Sequence, residues 1–328
     1  MTAVLPDTGT ASTPSGPVPA GRRVRSLPWG RRPGRRRPSL PYLLLLPATA
    51  VLLVMLGYPL VRLVVLSTQR YGLAQVFGAP AESVGLANFE TILGDAYFWA
   101  ILQRTLVFCV VNVALTLVLG TVVALLLARL RPGVRTALSA SLLLAWAMPA
   151  LTATVVWQWL FDTQYGLVNR ILTALGGDFQ GHGWLEDPIS FFFVATIVVV
   201  WMGVPFVAFT LHAGLTQIPA ETLEAAAIDG ADAWQRFRDV ILPTLAPLYL
   251  VLAALSTLWD LKVFTQIYVL QQAGGITRDT NLLGVWAYRV SIGENRYDIG
   301  AAVALVIVAI TFVLTFAYLR RLLRTEAL

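Results

Sequence analysis

Six runs of mostly apolar residues, at about 41–66, 101–128, 136–160, 190–216, 247–271 and 299–319, leave this chain few ways to fold. Each is long enough to cross the hydrocarbon core of a bilayer as a helix, which takes about 20 residues. Inside lipid a backbone must satisfy its own hydrogen bonds, and a helix does so within one segment. With 57% of residues hydrophobic and 13% charged, the expected fold class is an all-α membrane protein with six transmembrane helices. Pro59, Pro149 and Pro205 fall within these segments and are expected to kink them.

Residues 1–39, rich in Pro, Gly, Ser, Thr and Arg, are expected to form a disordered cytoplasmic N-terminus ahead of a transmembrane domain over 40–328. Arg22, Arg23, Arg25, Arg31, Arg32, Arg35, Arg36 and Arg37 crowd it. Such a cluster holds its end of the chain in the cytoplasm and attracts anionic lipid headgroups. The net charge of +6 could also suit nucleic acid, but Pro and Gly interrupt the arginines and no aromatic-rich domain follows to read bases. A signal peptide is the competing reading. Ala48-Thr-Ala50 falls too early in its apolar stretch to follow an h-region, so a retained first span is expected. Sixteen arginines lie on the N-terminal side of the membrane and six on the other. This puts both termini in the cytoplasm, an argument that rests mostly on the N-terminal cluster.

Little in the chain suggests chemistry of its own. Cys109 sits inside an apolar run and reads as a packing residue. His182 and His212 are isolated from each other and from any ligand spacing, so no metal or cofactor is expected to be bound. The one lysine, Lys262, lies in the fifth segment, and no P-loop can be built around it. The expectation is a transport subunit and not an enzyme.

Asp260 and Lys262 are ionisable groups in a membrane segment, which makes them functional candidates. Two residues apart on a helix, they do not face each other, so pairing with other helices is the alternative. Trp146, Trp157, Gln158, Trp159, Trp201, Trp259, Gln266, Tyr268, Gln271 and Gln272 add aromatic and amide side chains. Sugars stack an apolar ring face on aromatics and give their hydroxyls to amides and acids. An interfacial aromatic belt accounts equally well for Trp157 and Trp159. The substrate-pathway candidates are Trp201, Trp259, Asp260, Gln266 and Tyr268.

Residues 217–246 form a polar loop between two spans, with five acids against two arginines. A short helix is expected from Pro219-Ala220, with Leu223, Ala227 and Ile228 along one side and three alanines keeping it thin. Gly230 ends it. A second short helix should carry Trp234, Phe237 and Ile241 on one face until Pro243 stops it. A thin, acidic helix suits docking into a groove on a partner. A connector lying on the membrane surface would instead carry Lys and Arg on its polar face.

The order Glu224-Ala225-Ala226, Gly230, Leu242-Pro243 closely resembles the cytoplasmic coupling loop of permease subunits in ATP-driven (ABC) importers, EAA-x3-G-x9-I-x-L-P, with Val240 where Ile is usual. From about residue 42 onward the chain resembles the first permease of carbohydrate importers, the maltose and glycerol-3-phosphate group. Gly85-Leu-Ala-Asn88-Phe89 is similar to that group's G-L-x-N-F, and Phe264-Thr-Gln-Ile-Tyr268-Val-Leu, Gly274-Gly275 and Thr280 to its F-D-x-I-Y-x-L-T-x-G-G-P…T. Thr265-Gln266 departs from it where Asp is common, and Ile276 where Pro is usual.

The resemblance implies a type I importer permease fold. It makes Glu224, Ala225, Ala226, Gly230, Leu242 and Pro243 the ATPase-coupling residues. It also implies a second homologous permease, two cytoplasmic ATPase subunits carrying ATP and Mg, and an extracytoplasmic solute-binding protein. The cargo is expected to be a disaccharide or short oligosaccharide. Glycerol-3-phosphate or a polyol is the alternative; the phosphate would call for cationic groups, for which Lys262 and Arg62 are candidates. An ion-coupled secondary transporter is the distant alternative and should show inverted repeats or broken helices at matching positions in two halves, neither of which the sequence displays. A sensor subunit would need an effector domain.

Overall fold

A computed structural model describes residues 39–326, with side chains from 43 to 323. The N-terminal arginine cluster, the expected disorder before residue 39 and the side chain of Arg324 lie outside the described residues. The chain divides into two compact units, Met1–Val54 and Met55–Leu328. Within the first, α1 runs over Ser39–Leu52.

A π-helical turn (Leu53–Gly57) leads into α2 (Tyr58–Ser67) of the second unit, followed by a two-stranded antiparallel pair, β1 (Gln69–Arg70) and β2 (Glu82–Ser83), which encloses α3 (Leu73–Val76). Then come α4 (Ala87–Leu93), α5 (Ala96–Arg129), α6 (Pro132–Trp146), α7 (Ala150–Leu160), α8 (Leu167–Ala174) and α9 (Pro188–Leu215). They are followed by α10 (Ala220–Ile228), α11 (Ala233–Arg236), a π-helical turn (Phe237–Ile241), α12 (Leu242–Thr244), α13 (Ala246–Asp260) and α14 (Thr265–Gln272). The described residues end with α15 (Thr277–Thr280), α16 (Leu283–Tyr288), a further π-helical turn (Arg289–Gly293) and α17 (Tyr297–Glu326).

Among the described residues, five stretches are long and apolar enough to cross a membrane: Leu43–Ser67, α5, α9, Ala246–Gln272 and α17. The sixth expected span, 136–160, is the pair α6–α7, bent by 101°. The bend falls at Ala147–Pro149, where proline supplies no N–H and drives Met148 away from helical dihedrals. Pro205, by contrast, leaves α9 continuous. Ala246–Gln272 is also interrupted, at Leu261–Phe264 between α13 and α14. The kink expected at Pro149 is therefore present as a sharp break, whereas the interruption at Leu261–Phe264 was not foreseen, because hydropathy reports the length of an apolar run and not its continuity.

The most extensive packing joins α5 to α9. A Cβ at Gly120 would collide with Val207, and one at Gly203 would come 2.9 Å from the Thr116 side chain. Small residues here let the two backbones approach, which is how helices associate where lipid offers no hydrophobic drive. Toward one end of the pair, Phe108, Phe191, Val194, Ile267 and Leu282 form a core. Toward the other, Ala124, Val207, Leu211, Leu245 and Leu252 form a second core, beside α10. Cys109 is buried, its Sγ 3.8 Å from the Thr257 carbonyl.

Asn88, from the Gly85-Leu-Ala-Asn88-Phe89 segment, has a structural task. It is 7% exposed, and its Nδ2 donates to the carbonyls of Ser67 and Gln69, both at 2.9 Å. It thereby ties the end of α2 to the start of α4. Asn88→Leu leaves two carbonyls unpaired and is expected to destabilise the chain by about 2–3 kcal/mol. Thermal unfolding in detergent, followed by tryptophan fluorescence, measures it; an unchanged midpoint removes the clamp assignment.

Candidate functional site

The break between α13 and α14 opens one wall of a polar cavity of about 350 Å³. Trp146, at the end of α6, and Met202 and Gly203, in α9, line it opposite Trp259, Asp260, Lys262, Thr265 and Gln266. The break is what turns these groups inward together: in a straight helix, residues 262 and 266 would share a face and residue 260 would point away from it. Asp260 is 7% exposed, and its Oδ2 has no hydrogen-bond partner among the described residues. Lys262 is exposed, and no ion pair joins the two. Gln266 Nε2 reaches only the Met202 sulfur, at 3.6 Å. The Trp259 ring packs edge-on against Phe206, 5.0 Å between centroids, and Phe206 in turn stacks on Trp146. The cavity thus has aromatic walls, free amide and ammonium donors, and one buried acceptor awaiting a donor.

Three of the five substrate-pathway candidates, Trp259, Asp260 and Gln266, meet there. The other two do not. Trp201 packs on Trp157 at 5.8 Å and faces a separate apolar groove inside the α6–α7 bend. Tyr268 is enclosed by Phe264 and Tyr288, with the Arg289 guanidinium 5.7 Å over its ring. Arg289 in turn donates to Gln271 Oε1, and Gln271 donates to Thr280 and Asn281. Tyr268 and Gln271 therefore belong to the scaffold that fixes α14. Sequence reading missed Thr265, Met202 and Gly203 as cavity residues; the charges of Asp260 and Lys262 inside an apolar run were the available signal for the break beside them.

At the far end of α9, α10 projects from the bundle. Leu223 packs into the core beside Val207 and Leu245, while Glu224, Ala225 and Ala227 are exposed and Ile228 is 86% exposed. Leu223 and Ile228 therefore do not share a side as expected. The helix closes with Gly230 N–H on the Ala227 carbonyl and Ala231 N–H on the Ala226 carbonyl, and Gly230 has φ +86. This paired closure needs a left-handed residue, which glycine supplies at least cost. Asp232 and Gln235 then cap the next turn reciprocally.

The second expected helix departs from its pattern. Pro243 does not stop it; the helical path runs on, Leu245 N–H bonding to Ile241. A proline ring clashes with the carbonyl four residues earlier, and the π-helical turn over Phe237–Ile241 widens the backbone just ahead of it. The extra residue per turn moves Leu242 onto the face shared by Trp234 and Phe237, which line an apolar groove of about 540 Å³ against Val118 and Val122 of α5. Ile241 turns to the core instead. All five loop acids, Glu221, Glu224, Asp229, Asp232 and Asp239, are exposed.

Comparison with known proteins places the chain in a family. The model of the "Binding-protein-dependent transport system inner membrane component" family matches residues 117–325. The Diacetylchitobiose uptake system permease protein DasB of Streptomyces coelicolor is 43% identical over 290 residues, 87% of each chain. The Trehalose/maltose transport system permease protein MalF of Thermococcus litoralis is 36% identical, over 87% of this chain and 94% of its own. A bacterial ABC transporter that imports the acidic polysaccharide alginate has the same fold, with TM-score 0.74 and 22% identity over 87% of this chain and 95% of its own. With the family model covering more than half of its length and a relative 43% identical across most of both chains, this chain belongs to the binding-protein-dependent inner membrane components, the permease subunits of ABC importers.

Proposed function

We propose that the chain carries a disaccharide or short oligosaccharide across the cytoplasmic membrane, with Trp259, Asp260 and Gln266 contacting it. The observation that carries this reading is the unpaired, buried Asp260 carboxylate in an aromatic-walled cavity. A sugar offers what that cavity lacks: hydroxyl donors for Asp260 and Gln266, and an apolar ring face for the indoles. A dianionic phosphate would meet Asp260 as a like charge, which disfavours glycerol-3-phosphate. Diacetylchitobiose, trehalose and maltose, named for the relatives, have the same chemistry.

The driving force enters at α10. Its exposed acids, thin alanine surface and exposed Ile228 suit insertion into a groove on a cytoplasmic ATPase, with Glu224, Ala225, Ala226, Gly230, Leu242 and Pro243 forming or supporting the contact. Both termini lie in the cytoplasm in this arrangement. ATP and Mg are held by two ATPase subunits, a second permease completes the pathway, and a solute-binding protein delivers cargo from outside. The chain has no catalytic role.

Purification of the tagged chain in mild detergent is expected to recover a second permease and a Walker-type ATPase. Reconstituted with its binding protein, the assembly should take up labelled oligosaccharide only with ATP. Recovery of the chain alone, still transporting in liposomes without ATP, would overturn the proposal.

A further inference from the structure

A groove of about 490 Å³ runs between α5 and α9 at the end of the bundle away from α10, lined by Val107, Val111, Phe192 and Ile189, with Arg104 and Asp279 among its polar members. Its depth in the membrane can be read from α5. The exposed apolar side chains of that helix extend from Leu106 to Leu126, about 30 Å at 1.5 Å per residue, which matches the hydrocarbon core. Arg104 therefore sits at the headgroup boundary. Trp99, 51% exposed, lies one turn further out, where interfacial aromatics collect.

The two charges of the groove are both unneutralised. Arg104 Nη1 donates to the carbonyls of Asn281 at 3.1 Å and Arg278 at 3.4 Å. Those bonds fix the guanidinium without cancelling its charge. Asp279 is exposed, and although both residues line one groove, no ion pair joins them. We propose that this groove is a binding site for one phosphatidylethanolamine molecule. Its phosphate meets Arg104, its ammonium meets Asp279, and an acyl chain lies along Val107, Val111 and Phe192.

The charge pattern selects this headgroup. A phosphatidylglycerol satisfies Arg104 but brings no cation to Asp279. A phosphatidylcholine brings a cation whose methyl groups prevent it from donating a hydrogen bond to the carboxylate. A helix of another subunit, apolar at this depth, would cover the groove and leave both charges unanswered.

The test is native mass spectrometry of the delipidated full-length chain, offered palmitoyl-oleoyl phosphatidylethanolamine, phosphatidylglycerol or phosphatidylcholine. One phosphatidylethanolamine should be retained about tenfold more strongly than either other lipid, the value of one charge-assisted hydrogen bond. Asp279→Asn should erase that preference, and Arg104→Gln should weaken retention of all three. Because Arg104 also braces the loop, Val111→Trp provides a check that leaves both charges in place and fills the groove; it should abolish retention. Equal retention of the three lipids, a preference for phosphatidylglycerol, or full retention by Val111→Trp would each overturn the assignment. In native membranes, a photoreactive benzoylphenylalanine at Val107 should capture lipid; capture of another permease chain would assign the groove to a subunit interface.

Discussion

Replacing Gly230 with valine is expected to abolish ATP-driven uptake while the chain still inserts and folds. Gly230 has φ +86, and a β-branched residue held there costs about 1–3 kcal/mol. The local structure cannot absorb that cost. α10 spans only Ala220–Ile228, shorter than a helix that is stable by itself, so it depends on Leu223 packing and on the closure at Gly230. Losing the closure unwinds the last turn, which carries the exposed Ala225, Ala227 and Ile228. Uptake and ATP hydrolysis in proteoliposomes should then part company, with uptake falling by more than about tenfold.

Gly230→Asn supplies the control, since asparagine tolerates the left-handed region and no described atom lies within 4 Å of an added Cβ. It should retain most of the coupling. Full transport by the valine variant would remove α10 from the coupling path. Equal failure of both variants would shift the cause from backbone conformation to side-chain bulk against the ATPase.

Gly230 was legible in the sequence because its requirement is local: an alanine-rich helix, one glycine and a new capping segment lie within a dozen residues. The spans were legible for a similar reason, apolar length being a property of a window. What failed was everything that depends on continuity or direction. Trp234, Phe237 and Ile241 fit a 3.6-residue spacing, but the π-helical turn ahead of Pro243 adds a residue and exchanges Ile241 for Leu242. Trp201 sits on α9, whose sequence is apolar on every side, so no pattern shows which way it faces. Tyr268 reads as a sugar-stacking ring until Tyr288 and Arg289, far along the chain, are found against it. Asn88 belonged to a recognised motif, yet its task appears only when Ser67 and Gln69 are brought beside it. The two broken spans also correct a criterion. Broken helices at matching positions in two halves were expected of a secondary transporter; single breaks occur here in an ABC permease, because irregular backbone is tolerated wherever it lines a cavity.

Asp260→Leu is expected to separate transport from stability, and the sign of each effect distinguishes a cargo contact from a structural one. A buried carboxylate without a partner is a cost to the folded chain, and replacing it by an apolar side chain of similar size relieves that cost. The variant should therefore unfold at the same temperature as the parent or higher. Transport should move the other way. If a sugar hydroxyl donates to Asp260, losing that charge-assisted bond removes about 1.5–3 kcal/mol, which raises the apparent KM for uptake roughly ten- to hundredfold. Asp260→Asn keeps an acceptor oxygen and should fall between the two. Stability of detergent-purified chain and initial rates of labelled oligosaccharide uptake across a concentration series measure both effects. A drop in the unfolding temperature with unchanged KM would mean that Asp260 stabilises the folded chain itself and that the cavity binds cargo through Trp259 and Gln266 without it.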